Sequence, residues 1–307
     1  MFRFSVEQKI FEIGKVKIGG QPGELPTVLI GNIFYKGMPE IADHKRGEFD
    51  RKSVLKWIKI AEELSGKTGV PHFIDIMAMY PEAMRRYVTF ISEHSDSVLL
   101  VDGTNSDTRV AGLERVKELG LQERTIFNAI SPRISQREIE AIRDSGVTAA
   151  ILLAYNEIDF SPEGRTAILK GYDKNIGLLK IAEKARTNKI LVDTIVFDVP
   201  SIAYATEAIK LVKNELGYPA GCSPANATYG WKRSQSEISK SGFGAYNASA
   251  HAIAQFGGAD FLIYGPIKQA RNMIPACAMN DAIVAYHALK RLGIRPLVSE
   301  HPLYKIF

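Results

Sequence analysis

Ser97-Val98-Leu99-Leu100-Val101-Asp102-Gly103-Thr104-Asn105 sets four consecutive apolar residues against an acidic, glycine-led turn. A short run that is apolar on both faces reads as a strand buried on both sides, as parallel sheets require. A carboxylate at the C-terminal end of such a strand stands where barrel enzymes carry their chemistry. Working outward from 97–101, similar runs occur at 27–33, 72–78, 125–129, 149–154, 190–197, 219–222 and 260–264. Helix-period segments fill the intervals. Asp50 precedes a helix over 52–65 whose Val54, Leu55, Ile58, Ala61 and Leu64 share one face. Ser135 and Glu138 have the spacing of a capping box, Pro81 and Pro162 suit a first helical turn, and Gly120 and Gly146 suit helix ends. The alternation predicts an α/β fold, a TIM (β/α)8 barrel, forming a single domain over 1–307. Residues 1–26 are its lead-in, with a small hairpin over 10–20. The stretch from Asn226 to Gly258 reads as a loop plus two helices, with Gly242 and Gly244 between them.

Composition narrows the function classes. The chain has 307 residues, 46% of them hydrophobic and 24% charged, as a globular domain with a large core requires. Its 39 basic and 34 acidic residues leave a net charge of +5. The basic residues form no run interleaved with aromatics, which argues against nucleic-acid binding. Two cysteines, Cys222 and Cys277, cannot build a disulfide framework, and the expected setting is cytoplasmic. The start has no signal-peptide pattern and no apolar run is long enough to span a bilayer, so a soluble protein without membrane insertion is expected.

Polar residues at the expected strand ends form a chemically coherent set: Asn32, Asp75, Asp102, Asn128, Asn156, Asp193, Ser223, Asn226 and Tyr264. Carboxylates and carboxamides pair edge-on with heterocycles that present ring N–H, amino and carbonyl groups, such as a pterin. Such a site rejects ligands that leave its buried polar groups unpaired, each at about 1–3 kcal/mol. Each residue also has a plainer reading. An acid at a strand end often caps the next helix, Asn32 and Asn156 suit structural roles, and Tyr264 suits packing. Zinc would want His or Cys at close spacing, and His44, His72, His94, His251, His287 and His301 share no motif, so no metal is expected. Cys222 has no apparent partnering His for thiol chemistry, and Lys268 lies past strand eight, where a Schiff-base lysine is unusual. The charged loop 36–48 reads either as solvated surface or as a segment that gates the mouth or meets a partner.

The stretch Gly19-Gly20-Gln21-Pro22-Gly23-Glu24-Leu25-Pro26-Thr27-Val28-Leu29-Ile30-Gly31-Asn32-Ile33-Phe34-Tyr35 resembles the opening of the H-subunit family of tetrahydromethanopterin S-methyltransferase. Gly47-Glu48-Phe49-Asp50, Pro81-Glu82-Ala83-Met84 and Gly217-Tyr218-Pro219 extend the resemblance over most of the chain. Stand-alone relatives in glycine betaine or methoxylated-aromatic metabolism belong to the same group, and residues 229–307 resemble these more than the complexed protein. The resemblance implies a barrel of the pterin-binding methyltransferase type, acting in one-carbon metabolism such as methanogenesis. It implies methyl transfer between N5 of a tetrahydropterin, either tetrahydromethanopterin or tetrahydrofolate, and the cobalt of a cobalamin-type corrinoid on a free partner protein, with a homodimer as the assembly. Carried over position by position, it assigns pterin contacts to Asp102, Asn128 and Asp193. A contact after strand seven falls to Ser223 or Asn226, since Gly221-Cys222-Ser223-Pro224-Ala225-Asn226 departs from the simpler Gly-x-Ser-Asn spacing. Asn226, Asp75 and Asp102 are the candidates for delivering a proton or hydrogen bond to N5. The competing readings are a non-catalytic component that binds the corrinoid protein, and a lyase or pteroate-forming synthase on the same barrel.

Overall fold

The computed structural model describes residues 2–172, 175–234 and 242–307. Parallel strands close into a barrel in chain order: β1 (Val28–Ile33), β2 (His72–Ala78), β3 (Leu99–Gly103), β4 (Thr125–Ile130), β5 (Ala149–Leu153), β6 (Lys189–Asp193), β7 (Ala220–Cys222) and β8 (Phe261–Pro266). β8 closes onto β1, from Phe261 opposite Val28 to Pro266 opposite Asn32, with a bulge between Ile263 and Gly265.

Because side chains alternate along a strand, each run splits its apolar residues between two cores. Val28, Ile30, Phe73, Leu100, Ile126, Ile151, Leu191 and Phe261 fill the barrel interior. Leu29, Ile74, Ile76, Val101, Phe127, Leu152, Val192 and Leu262 face outward and pack with the helices. The same alternation carries Asn32, Asp75, Asp102, Asn128 and Asp193 to the inner face, above the apolar fill.

The helices start where the sequence signals lie. α1 (Arg51–Thr68) is capped by Asp50, whose carboxylate accepts from the Lys52 and Ser53 amides at 3.0 and 3.2 Å. α2 (Pro81–His94) begins with proline, and α3 (Ser106–Glu118) is capped by Asn105. α4 (Gln136–Ser145) carries both halves of the Ser135–Glu138 capping box and ends at a left-handed Gly146. α5 (Pro162–Lys170), α6 (Leu178–Lys184) and α7 (Ser201–Leu216) follow. α8 (Pro224–Ser234) and α9 (Phe243–Phe256) lie between β7 and β8. α10 (Ala270–His287) and the short α11 (Pro302–Lys305) complete the series.

At the N-terminal end of the barrel, the predicted hairpin is present as Ile10–Ile13 paired antiparallel with Val16–Gly19. Its Ile13 and Ile18 are fully buried and join the interior core, so the hairpin stoppers that end of the barrel. Nearby, the Lys213 ammonium of α7 reaches both Asp260 carboxylate oxygens, at 2.5 and 2.6 Å, and the Gly20 carbonyl at 3.0 Å. Asp260 in turn accepts from the Ala220 amide at 2.9 Å.

Several boundaries differ from the sequence reading. β6 stops at Asp193 instead of running to Phe197. The Asp193 carboxylate accepts from the Ile195 amide two residues on, and Ile195 takes a left-handed φ of +60°, which ends the strand. β3 is shifted two residues onward and β8 continues to Pro266, past Tyr264. Asn226 lies in the first turn of α8 and Gly244 inside α9, while residues 235–241 of that stretch fall outside the described ones. Two short hairpins, Ile41–Asp43 with Glu48–Phe49 and Gly171–Tyr172 with Asn175–Ile176, carry no clear sequence signal.

Candidate active site

The C-terminal mouth of the barrel holds a cavity of about 350 Å³, and Asn32, Asp75, Asp102, Asn128, Asp193, Ser223 and Asn226 all line it. They arrive from β1, β2, β3, β4, β6 and the segment after β7. The barrel register places neighbours side by side: Asn32 opposite Asp75, Asp102 opposite Asn128, and Leu153 opposite Asp193. Met77, Leu153 and Ile263 supply apolar wall. A larger groove of about 570 Å³ lies outside the barrel along α2 and α3, but Arg85 pairs with Glu114 and Glu118, and Arg51 with Glu93. Its charges neutralise one another and the barrel strands contribute nothing to it.

Asp75 sits deepest, 1% exposed. One carboxyl oxygen accepts from the Asn32 amide at 2.9 Å, while the other, Oδ1, is buried without a hydrogen-bond partner, as is Asn32 Oδ1. Burial, followed by the charge of Asp102, pushes the Asp75 carboxyl well above the usual range, with the Asn128 amide opposing. Asp102 is raised to about 6, chiefly by burial, with Arg109 opposing. Asp75 therefore keeps its proton when Asp102 is ionised. Asp102 does not cap the following helix, a role that Asn105 takes by accepting from the Thr108 amide at 3.0 Å. The capping alternative for Asp102 is removed.

Asp193 is 7% exposed and accepts from the Ile195 amide at 2.7 Å. Burial raises it to about 6, with that amide and Arg165 opposing. Arg165 is buried beside it and clamps the turn after β6, donating to the Thr194 carbonyl at 2.6 Å and the Ile195 carbonyl at 2.9 Å. A folded-state value near 6 lies above the ordinary Asp value of about 3.9. Stability from this group is therefore full below pH 4 and is lost as pH rises through 6. Asp193→Asn removes a buried charge while keeping an acceptor for Ile195. At pH 8 the variant is expected to exceed the wild type by roughly 2–3 kcal/mol, and the two should converge near pH 4. Denaturant titrations across pH 4–8 check this; a difference that does not vary with pH refutes it.

After β7, Ser223 donates to the Ile263 carbonyl at 3.3 Å, whereas the exposed Asn226 side chain makes no hydrogen bond within the described residues. Of the two alternatives there, Asn226 is the one with its carboxamide uncommitted. Two residues escaped the sequence reading. Arg109 lines the cavity, held at 2.6 Å by Glu138 and at 2.6 Å by the Gly103 carbonyl, and Arg165 supports Asp193 from behind. Both sit on helices, where an arginine looks like ordinary surface.

Other candidates resolve into structure. Asn156 is tied down by Gly164, Ile158 and Asp159. Tyr264 turns outward, its hydroxyl 2.8 Å from His72 Nε2, in space left by Gly31, where a Cβ would collide with it. Burial pushes the His72 imidazole down to about 3 and His251 to about 4. Cys222 and Cys277 are both buried and both pushed well above the usual thiol range. Lys268 is exposed on a short turn after β8. Within the described residues, no three His, Cys, Asp or Glu side chains cluster to hold a metal.

The family model of the tetrahydromethanopterin S-methyltransferase MtrH subunit matches residues 6–297. The H subunit of tetrahydromethanopterin S-methyltransferase from Methanothermobacter thermautotrophicus is 36% identical over the whole of both chains. Its counterpart from Methanopyrus kandleri is 35% identical over 96% of each chain. The H subunit of a putative methyltransferase, mtx, from Methanosarcina barkeri is 36% identical over 99% of each. Among solved structures, Yersinia pestis dihydropteroate synthase superposes with a TM-score of 0.59 over 89% of this chain and 98% of its own, at 14% identity, a likeness of fold.

Proposed function

The chain belongs to the family of the MtrH subunit of tetrahydromethanopterin S-methyltransferase, and from that premise we propose that its barrel mouth moves a methyl group between N5 of a tetrahydropterin and the cobalt of a corrinoid carried by a separate protein. The supporting observation is the one cavity in which Asp102, Asn128 and Asp193 converge while Asp75 Oδ1 and Asn32 Oδ1 remain buried and unpartnered. A reduced pterin offers ring N–H, amino and carbonyl groups in the alternation these side chains need, and the unpaired oxygens favour a ligand that completes them.

The corrinoid, when docked, supplies a cobalt centre that accepts or donates the methyl group. This chain's residues do the rest. Asp193, ionised above about pH 6, accepts ring N–H groups. Asn128 and Asp102 fix the ring in its plane, so that N5 is held toward the open side; such positioning is worth much of the rate. A tertiary amine leaves poorly, so N5 must gain a proton or a strong hydrogen bond. The Asp75–Asp102 pair retains a proton near neutral pH, and Asn226 stands uncommitted at the rim. We assign the hydrogen bond to N5 to Asn226 and the proton reserve to the acid pair. A cytoplasmic setting and a homodimer complete the proposal; no helix among the described residues is long and apolar enough to cross a membrane.

The lyase reading lacks support, because among the described residues no lysine lines the acid–amide cavity and Lys213 is committed to Asp260. The test is a spectrophotometric assay of a corrinoid protein with methylated tetrahydrofolate and methylated tetrahydromethanopterin. A change in cobalt absorbance that requires both this chain and one of the pterins is the expected result. Pterin binding without any change in the corrinoid spectrum would overturn the methyl transfer. Corrinoid-protein binding without pterin binding would favour the non-catalytic reading.

A further inference from the structure

Beside the acid–amide cavity lies a second one of about 540 Å³. Asn32, Met77, Ser223 and Asn226 wall both, so the two are compartments of one mouth. The chemistry changes across that shared wall. Lys36 from the loop after β1, Lys232 and Arg233 from the last turn of α8, and Lys268 from the turn after β8 line the second compartment, and among the described residues no carboxylate does. Elsewhere many surface cations are neutralised, as Arg85, Arg133, Arg137 and Lys170 are by nearby acids. Lys36, Lys232, Arg233 and Lys268 form no ion pair within the described residues. Lys232 rests against an aromatic face, its ammonium 4.3 Å from the Phe243 ring centroid. Four positive charges drawn from three separate segments around one recess create a field for an anion. Tyr35, Tyr229 and Pro266 give the recess apolar wall as well.

We propose that this basic annex takes the anionic tail of the pterin co-substrate, the carboxylate or phosphate groups at the end of the arm whose ring lies in the neighbouring cavity. The inference rests on the pterin reading and adds to it the part of the ligand that the acids and amides cannot hold. An arm leaving the ring must cross the shared wall, past Asn226, and its length separates the anionic end from Asp75, Asp102 and Asp193, which would repel it. Because Lys36 and Lys268 are exposed, their contribution is screened and moderate, and it falls with salt.

The experiment measures calorimetric affinity of the full chain for tetrahydromethanopterin, tetrahydrofolate and the tail-less 6-methyltetrahydropterin, at low and high ionic strength. The Lys36→Ala/Lys268→Ala variant is measured in parallel. The wild type is expected to bind at least one tailed ligand about tenfold or more tighter than the tail-less one, a margin that shrinks at high salt. The double variant should lose most of that margin while its affinity for 6-methyltetrahydropterin stays within twofold. Preference for the phosphate-bearing or the carboxylate-bearing tail then identifies the anion. Equal affinity for tailed and tail-less ligands in the wild type overturns the proposal, as does an equal loss for both in the variant. Failure of 6-methyltetrahydropterin and both tailed ligands to bind the wild type would instead remove the pterin reading itself.

Discussion

Asp193→Ala and Asn128→Ala are each expected to weaken tetrahydropterin binding by about 100-fold, while near-UV circular dichroism stays that of the wild type. A buried acceptor that engages two donors of a ligand contributes on the order of 3 kcal/mol, about two decades in affinity. Asp193 is 7% exposed and its carboxylate is oriented by the Ile195 amide, so it meets a ligand without first being ordered. Asn128 faces the same cavity from β4, two strands round the barrel from Asp193 and next to Asp102. Isothermal calorimetry at pH 7.5 decides the matter. Unchanged affinity in both variants would remove the acid–amide cavity as the pterin site. The same measurement at pH 5 should show weaker binding in the wild type, because Asp193 gains a proton below about pH 6 and ceases to accept from a ring N–H.

Asp260→Ala is expected to produce the largest loss of stability, about 3–5 kcal/mol, with the melting temperature lowered by roughly 10 °C. The substitution strands the Lys213 ammonium, 1% exposed, with the Gly20 carbonyl as its remaining hydrogen-bond acceptor. It also frees the Ala220 amide at the start of β7. Adding Lys213→Met should recover part of the loss, since the cost lies mostly in the uncompensated charge. Differential scanning calorimetry on the single and double variants checks this, and a shift below about 2 °C for Asp260→Ala would refute it. Well below the melting temperature, pterin affinity should be unchanged, because the pair lies at the opposite end of the barrel from the cavity.

The strands are readable because a parallel barrel buries both faces of each, which leaves uninterrupted apolar runs such as 98–101. The acids and amides were readable for the same reason: a polar residue at the inner end of such a run has few structural excuses. What escaped detection depends on contacts distant in sequence. Arg109 and Arg165 lie on helices, and nothing local distinguishes them from solvated arginines. Their roles emerge once Gly103, Glu138 and Asp193 are beside them. The end of β6 is hidden in the sequence because Ile195, Val196 and Phe197 continue an apolar pattern through a turn that Asp193 and Arg165 impose. The basic annex is assembled from positions 36, 232, 233 and 268, and no window of sequence contains it.

The hairpin carrying Ile13 and Ile18 gives the barrel a sealed floor, and this has a kinetic meaning. If the mouth is the doorway for both, whatever enters first is trapped by whatever arrives second. On the proposed function, a corrinoid protein covering the doorway would exchange a methyl group productively only after the small molecule is inside, and the spent small molecule would depart only after that protein lifts away. On the proposed function, the small molecule is expected to bind before the partner protein, and excess partner should slow turnover by holding the exit shut.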